Sequence, residues 1–129
     1  MRSCAREVVF QYIFSRLFNP SDEGLFTVLM KDFNDADKQF AIELLKAVDD
    51  NEESLTLKIE QLAIGYKLNR IHRADKCALL IGMAELLCFT DTPVPVIINE
   101  TVNLVAKFCT ENSTNFVNGI LAEYAKEVR

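Results

Sequence analysis

Asparagine is unusually frequent in one stretch of this chain, residues 92–124, which contains Asn99, Asn103, Asn112, Asn115 and Asn118. Asparagine is a weak helix former, so helix packing alone does not account for five amides within 20 residues, one of them beside Phe116. Each amide both donates and accepts hydrogen bonds. The stretch therefore predicts a surface that forms hydrogen bonds and offers a ring for stacking.

Two cations lie near the start of the chain. Arg2 and Arg6 are four positions apart, so they share one face of a predicted first helix. A helix N-terminus disfavours cations, and some further interaction should offset that cost. A phosphate ligand would supply it, and two solvated arginines are the alternative.

Residues typical of catalysis are missing from the sequence. His72 is the only histidine, and it lies among cations, not beside a nucleophile: Lys67, Arg70, Arg73 and Lys76. Neither a phosphate-binding glycine loop nor a zinc-protease or serine-hydrolase motif occurs. We therefore predict a binding protein that is not an enzyme and that has no metal site and no cofactor.

The cysteines and the apolar runs indicate a cellular compartment. Cys4, Cys77, Cys88 and Cys109 are far apart, which favours buried free thiols in a reducing compartment over disulfides. The first ten residues lack the apolar run of a signal peptide, and apolar runs elsewhere are interrupted by charges. These features predict a cytoplasmic protein without a membrane span.

The net charge of -5 argues against a nucleic-acid partner only if the charge is evenly spread. It is not. Residues 22–60 contain eleven acidic and four basic residues, a local charge of -7, so the rest of the chain sums to +2. An acidic average can therefore hide a neutral or basic face.

Apolar residues recur at helical spacing along the whole chain, and no alternating strand pattern is evident. The pattern predicts about seven helices in one all-α domain spanning residues 1–129. We expect Ser3 to cap the first helix, Ser113 to cap the last, and residues 49–51 to separate a third helix from a fourth, which Gly65 ends.

One predicted helix should occupy the centre of the fold. The segment from about residue 75 to residue 89 is apolar on nearly all sides, which is typical of a helix surrounded by others. Glu85, a lone charge in this run, should lie at an edge or be paired. Pro93 and Pro95 place the start of the next helix near Val96.

The asparagine-rich stretch resembles the C-terminal signature of the NusB family of bacterial transcription antitermination factors. The resemblance is carried by an I-N-E element at residues 98–100 and an F-V-N-G element at residues 116–119. Further matching positions are Pro95, Val102, Leu104, Ala106, Lys107, Phe108, Ser113 and Leu121. The segments Ala5-Arg6-Glu7, Leu68-Asn69-Arg70-Ile71 and Ala84-Glu85-Leu86 fall where the family has similar ones, so the resemblance spans nearly the whole chain.

The resemblance implies a fold of two helical subbundles that binds the boxA sequence of nascent RNA together with the ribosomal protein NusE, in the antitermination complex of RNA polymerase. It points to the following residues as contacts for RNA: Arg2, Arg6, Gln11, Phe14, Lys107, Asn112, Asn115 and Phe116. For NusE it points to the start of the central helix, with Asp75, Lys76 and Glu85 as candidates. Cations, rings and amides are the groups that single-stranded RNA requires.

Several alternatives stay open. The family commonly opens with a run of arginines, but only Arg2 and Arg6 occur here, so we expect weaker, less salt-sensitive RNA binding with NusE supplying more of the affinity. Phe116 could instead belong to the core and Lys107 could be a solvated charge, while Asn118 is expected to form hydrogen bonds where two helices approach closely beside Gly119.

Two other functions compete with RNA binding. A purely protein-binding or homodimeric module is favoured by the acidic total charge. An RNA cytosine methyltransferase, in which a NusB-like domain precedes the catalytic one, is disfavoured because no cofactor motif is present and nothing follows Arg129.

Overall fold

The computed structural model of the chain describes residues 2–20, 22, 24–63 and 71–129. Within these ranges the chain forms helices and no strand, which confirms the all-α class. The helices are α1 (Arg2–Ser15), α2 (Gly24–Leu29), α3 (Asp35–Leu62), α4 (Arg73–Cys88), α5 (Val94–Phe108) and α6 (Glu111–Val128). The described helices number six and not the predicted seven.

The difference in number comes from α3, which runs for 28 residues without a break at residues 49–51. At the expected break the side chains bond along the helix. Lys46 Nζ donates to Asp50 at 2.7 Å, and Asn51 Nδ2 donates to the backbone oxygen of Ala47 at 2.8 Å. These contacts support one continuous helix where two were predicted.

Helix α4 is the central element, as predicted. All residues from 77 to 86 are buried, and α4 packs against α1, α3, α5 and α6. Gly82 allows the closest approach, because a Cβ atom there would lie 2.9 Å from Leu121 Cδ2 on α6 and 2.9 Å from Thr101 Oγ1 on α5. The core is therefore tightest where α4, α5 and α6 meet.

Helix α4 makes its most extensive contact with α3, and α4, α5 and α6 pack closely on one another. Arg129, which follows α6, donates to the backbone oxygens of Leu86, Phe89 and Thr92 at 2.9, 3.0 and 3.1 Å. A guanidinium at this place bonds carbonyls at and beyond the C-terminal end of α4, where the helix dipole favours a cation.

Both predicted capping serines lie inside helices, so these two predictions are wrong. Ser3 is part of α1, and its hydroxyl donates to Glu100. Thr110 is the N-cap of α6, so Ser113 lies in its first turn, where it donates to Asp75. Each serine hydroxyl has a partner on a neighbouring helix instead of capping its own.

All four cysteines are free, as predicted, but they are not all buried. Cys77 is buried and Cys109 partly so, whereas Cys4 and Cys88 are exposed. Burial raises the pKa of the Cys77 thiol from 9.0 to about 11, because the thiolate is disfavoured away from water.

Candidate functional site

Three helices meet around the guanidinium of Arg6, whose side chain is only 4% exposed. Its Nε and Nη2 donate to the two carboxylate oxygens of Glu85 at 2.6 and 2.9 Å. Its Nη1 lies 3.6 Å from Glu100 Oε2, which also accepts a hydrogen bond from Ser3 at 2.8 Å. We call Ser3, Arg6, Glu85 and Glu100 the Arg6 cluster, and it ties α1 to α4 and α5.

The Arg6 cluster changes the assignment of two predicted site residues. Glu85 was predicted to lie at an edge or to be paired, and it is paired. Its side chain is fully buried, so it lies in the interior and not on a surface that could bind a partner protein. The geometry of Arg6 likewise favours a packing role over a phosphate contact. Arg2 differs: it is exposed, with its Cζ 4.6 Å from the ring centroid of Phe40.

Lys107 on α5 pairs with Glu7 on α1. Lys107 Nζ donates to both carboxylate oxygens of Glu7, at 2.9 and 3.0 Å, and lies 5.6 Å from the ring centroid of Phe108. Gln11 is exposed one helical turn after Glu7. The exposed edge of α1 therefore borders the last turn of α5.

Phe14 belongs to a row of rings that leads from the core to the surface. Its ring lies parallel to Phe10, with centroids 6.0 Å apart, and edge-on to Phe18 at 5.4 Å. Phe10 stacks in turn on Phe108 of α5 at 5.0 Å. Since Phe18 is 65% exposed, the outer end of this row can stack on a base or pack on a protein.

The first turns of α6 present the amides that the sequence singles out. Asn112 and Asn115 are exposed and three positions apart, so they share a face of the helix. Phe116 is half-buried and packs against the core, so part of its ring remains accessible. Two amides and a ring edge thus lie within one and a half turns.

The prediction for Asn118 is wrong. Its side chain is exposed, and a Cβ atom added at neighbouring Gly119 would meet nothing within 4 Å. The close approach of helices lies at Gly82 instead. Gly82 stands in the predicted central helix, which is apolar on nearly all sides, whereas Gly119 directly follows Asn118, so the sequence around the two glycines already differs.

Asp75 lies in the first turn of α4, as predicted, but it is only 4% exposed. Its Oδ2 accepts from Ser113, whose Oγ lies 3.1 Å from Thr110 Oγ1, and its Oδ1 has no hydrogen-bond partner in the described part of the chain. Burial, and then the adjacent Asp75 carboxylate, raise the pKa of the Cys109 thiol to about 12. Asp75 thus places a negative charge at the N-terminus of α6, where the helix dipole favours it.

Lys76 faces a surface groove of about 390 Å³ between α1, α3 and α4, which we call the α1–α4 groove. Arg16 at its rim is paired with Asp49 at 2.7 Å, whereas Arg73 and Lys76 have no ion-pair partner among the residues described. Arg73 lies 5.9 Å from the ring of Phe18. The lining comprises Ile13, Arg16, Leu17, Val48, Glu52, Arg73, Lys76, Cys77 and Leu80.

The sequence indicated most of the candidate site residues but not the side chains that contact them. Glu7, Glu100 and Phe18 were not proposed as site residues, although the A-R-E and I-N-E segments already placed the two acidic residues in family-like positions. Gly65 and Lys67, together with residues 68–70, lie outside the described residues.

Two further findings concern the described ranges alone. Nowhere in residues 2–20, 22, 24–63 and 71–129 do three His, Cys, Asp or Glu side chains group in a way that could hold a metal ion. Among the helices that the structure describes, none has the length and apolar character needed to cross a lipid bilayer.

Comparison with known proteins shows that the chain is similar to other proteins over nearly its whole length. The sequence model of the NusB family matches residues 1–126. The transcription antitermination protein NusB of Methylacidiphilum infernorum is 34% identical over 128 residues, covering 95% of this chain and 88% of that protein. NusB of Geobacter sulfurreducens is 31% identical, covering 96% of this chain and 93% of that protein.

Solved structures have the same fold. T. maritima NusB is similar with a TM-score of 0.90 and 28% identity, covering 98% of this chain and 92% of that one. A crystal structure of the antitermination factors NusB and NusE in complex with dsRNA contains a chain similar with a TM-score of 0.82 and 25% identity, covering 98% of this chain and 96% of that one.

Proposed function

Since the chain belongs to the NusB family of transcription antitermination proteins, we propose that it binds single-stranded boxA-type RNA together with the ribosomal protein NusE. In this role it joins the antitermination complex on transcribing RNA polymerase, in the bacterial cytoplasm. The observation that carries the proposal is the likeness, along 98% of the chain, to a structure of NusB and NusE in complex with dsRNA. The family is one of antitermination proteins and not of enzymes, which confirms the prediction of a non-enzymatic protein.

The proposed RNA-binding surface, which we call the RNA face, combines groups from α1, α5 and α6. It comprises Arg2, Gln11, Phe14, Lys107, Asn112, Asn115 and Phe116, all exposed or partly exposed. Amides can bond base edges, rings can stack on bases, and cations can contact phosphates. Arg6 is left out of this set because its guanidinium is buried against Glu85.

Replacing Asn112 and Asn115 together by alanine tests the RNA face. Both amides are exposed, so the melting temperature should hardly change. Loss of two hydrogen bonds should weaken binding of boxA RNA by about 1–3 kcal/mol. Fluorescence anisotropy with labelled RNA, with and without NusE, measures this.

The control variant is Gln61→Ala, which removes an exposed amide from α3. Scrambled single-stranded RNA and a duplex RNA serve as competitors, since a preference for the duplex would contradict the single-stranded assignment. Equal boxA affinity of the double variant and the unchanged protein would contradict the role of the amides.

For NusE we propose the α1–α4 groove as the contact surface. Of the three predicted contacts, Asp75 and Glu85 are buried, whereas Lys76 lies at the rim of this groove. Arg73 and Lys76, which have no ion-pair partner in the described part of the chain, favour an acidic patch on the partner. Reversing both charges to glutamate should therefore weaken NusE binding in calorimetry while RNA binding by the chain alone is retained, and equal NusE affinity would exclude the groove.

A homodimeric or purely protein-binding module is the second candidate function. It is favoured by the exposure of Leu17 (48%) and Phe18 (65%) close to the same groove. Two measurements distinguish the two functions: sedimentation of the chain alone, and RNA titration in the presence of NusE. A stable dimer that does not bind RNA, even with NusE, would support this second candidate.

A further inference from the structure

The three cations predicted for the RNA face near α1 and α5 differ in their availability. Arg6 is buried between Glu85 and Glu100. Lys107 is held by both oxygens of Glu7, with 58% of the lysine side chain exposed. Arg2 alone of these three has no ion pair among the described residues. Carboxylates of the protein itself therefore neutralise most of the positive charge on this part of the surface.

We propose that Glu7 is an affinity-setting residue that competes with an RNA phosphate for Lys107. The inference rests on the proposed function and concerns the same face. The Glu7 carboxylate accepts from Lys107 Nζ through both of its oxygens, so it occupies donors that a phosphate oxygen would otherwise use. RNA therefore gains little electrostatic attraction here and is recognised mainly through amides and rings.

The energies of such pairs make the competition feasible. An exposed ion pair contributes only about 0–1 kcal/mol, so a phosphate can displace Glu7 from Lys107. The displaced Glu7 carboxylate remains on α1, beside Lys107. It therefore lies within about one Debye length of the incoming phosphate, about 8 Å at physiological salt, and repels it. Glu7 thereby lowers the affinity without blocking the site.

The pair also bridges α1 and α5, and a purely structural role is the competing explanation. Those helices are already joined by Ser3 and Arg6 through Glu100, so the Glu7 pair is not needed to hold them together. Glu7→Gln keeps the length of the side chain and one acceptor oxygen for Lys107, and it removes the charge. The variant should melt at the same temperature as the unchanged protein.

The experiment measures the affinity for boxA-type RNA against salt concentration, with NusE present and absent. Glu7→Gln should bind about two- to fivefold more tightly at low salt, the range that matches removal of one surface ion pair. The slope of log affinity against log salt should steepen by about 0.7, the value for one more neutralised phosphate on a single strand. Adding Lys107→Met to Glu7→Gln should abolish both changes.

The matched control is Glu123→Gln, which removes a carboxylate that pairs with Lys126 at 3.1 Å near the other end of α6. Tighter binding in Glu7→Gln but not in Glu123→Gln supports the inference. Equal affinity and slope for Glu7→Gln and the unchanged protein, when both bind RNA, overturn it. Absence of RNA binding by every variant, even with NusE, overturns the proposed function and this inference with it.

Discussion

Arg6 lies one turn from the N-terminus of α1, where the helix dipole disfavours a cation. The sequence correctly required some compensating interaction there, but the structure supplies it internally. Glu85 accepts two hydrogen bonds from the guanidinium, and Glu100 lies beside it. The compensating group is therefore a pair of carboxylates on two other helices and not an RNA phosphate.

Arg6→Ala should lower the free energy of unfolding by about 3–5 kcal/mol, because it leaves Glu85 charged and buried without its partner. Chemical denaturation at neutral pH measures this. Arg2→Ala is the control, and its effect should stay within about 0.5 kcal/mol since Arg2 is exposed. Similar effects of the two substitutions would show that the Arg6 cluster contributes no net stability.

Single residues also show where sequence reasoning stops. That Glu85 would be paired or at an edge followed from its place in an apolar run. That its partner is Arg6, 79 positions away, did not follow, because such a contact depends on how α1 packs on α4. Asp75 was placed correctly in the first turn of α4, yet its burial against Ser113 depends on the position of α6.

At the scale of helices, local patterns sufficed where a helix is apolar on all sides, as in α4. They failed at residues 49–51, because acidic and amide residues that often end helices here bond to residues one turn earlier. The start of α5 was predicted near Val96 and lies at Val94, since proline is tolerated in a first turn.

Two glycines offer a matched test of helix packing. Gly82→Ala should cost about 1–2 kcal/mol of stability, because the new methyl group meets Leu121 and Thr101 at 2.9 Å and overpacking outweighs the gain in helix propensity. Gly119→Ala meets nothing within 4 Å and should stabilise the protein by about 1 kcal/mol. Thermal melting of both variants checks this, and a stabilised Gly82→Ala would contradict the close approach.

At the scale of the whole molecule, the surplus of negative charge belongs mainly to residues 22–60, which sum to -7. Most of this segment is α3, and its side chains Asp49 and Asp50 are exposed. The RNA face is drawn from α1, α5 and α6 instead. The net charge of -5 is therefore a poor guide to the potential that an RNA strand would meet.

Buried thiols should make stability depend on alkaline pH. The pKa of Cys77 is raised by burial from 9.0 to about 11, so between these values the folded state retains a proton that the unfolded state has lost. The contribution is complete below pH 9 and is lost as the pH rises through 11, so the free energy of unfolding should fall in this window. Denaturation curves recorded from pH 8 upward measure the fall.

Cys77→Ala should make that fall less steep, whatever its effect at pH 8. Cys4→Ala is the control, since Cys4 is exposed and its substitution removes no buried thiol. The same slope in both variants would show that Cys77 does not titrate differently in the folded protein.

The Arg6 cluster has a consequence for how the sequence can change in evolution. Losing Arg6 leaves the buried Glu85 without its partner, and losing Glu85 leaves the buried Arg6 with only the partly exposed Glu100, so a mutation at one of these positions creates selection for change at the other. We expect these positions to covary among descendants of a common ancestor, with a neutral residue at 85 wherever position 6 has become apolar. Aligned natural sequences would then reveal a contact between helices that no single sequence can show.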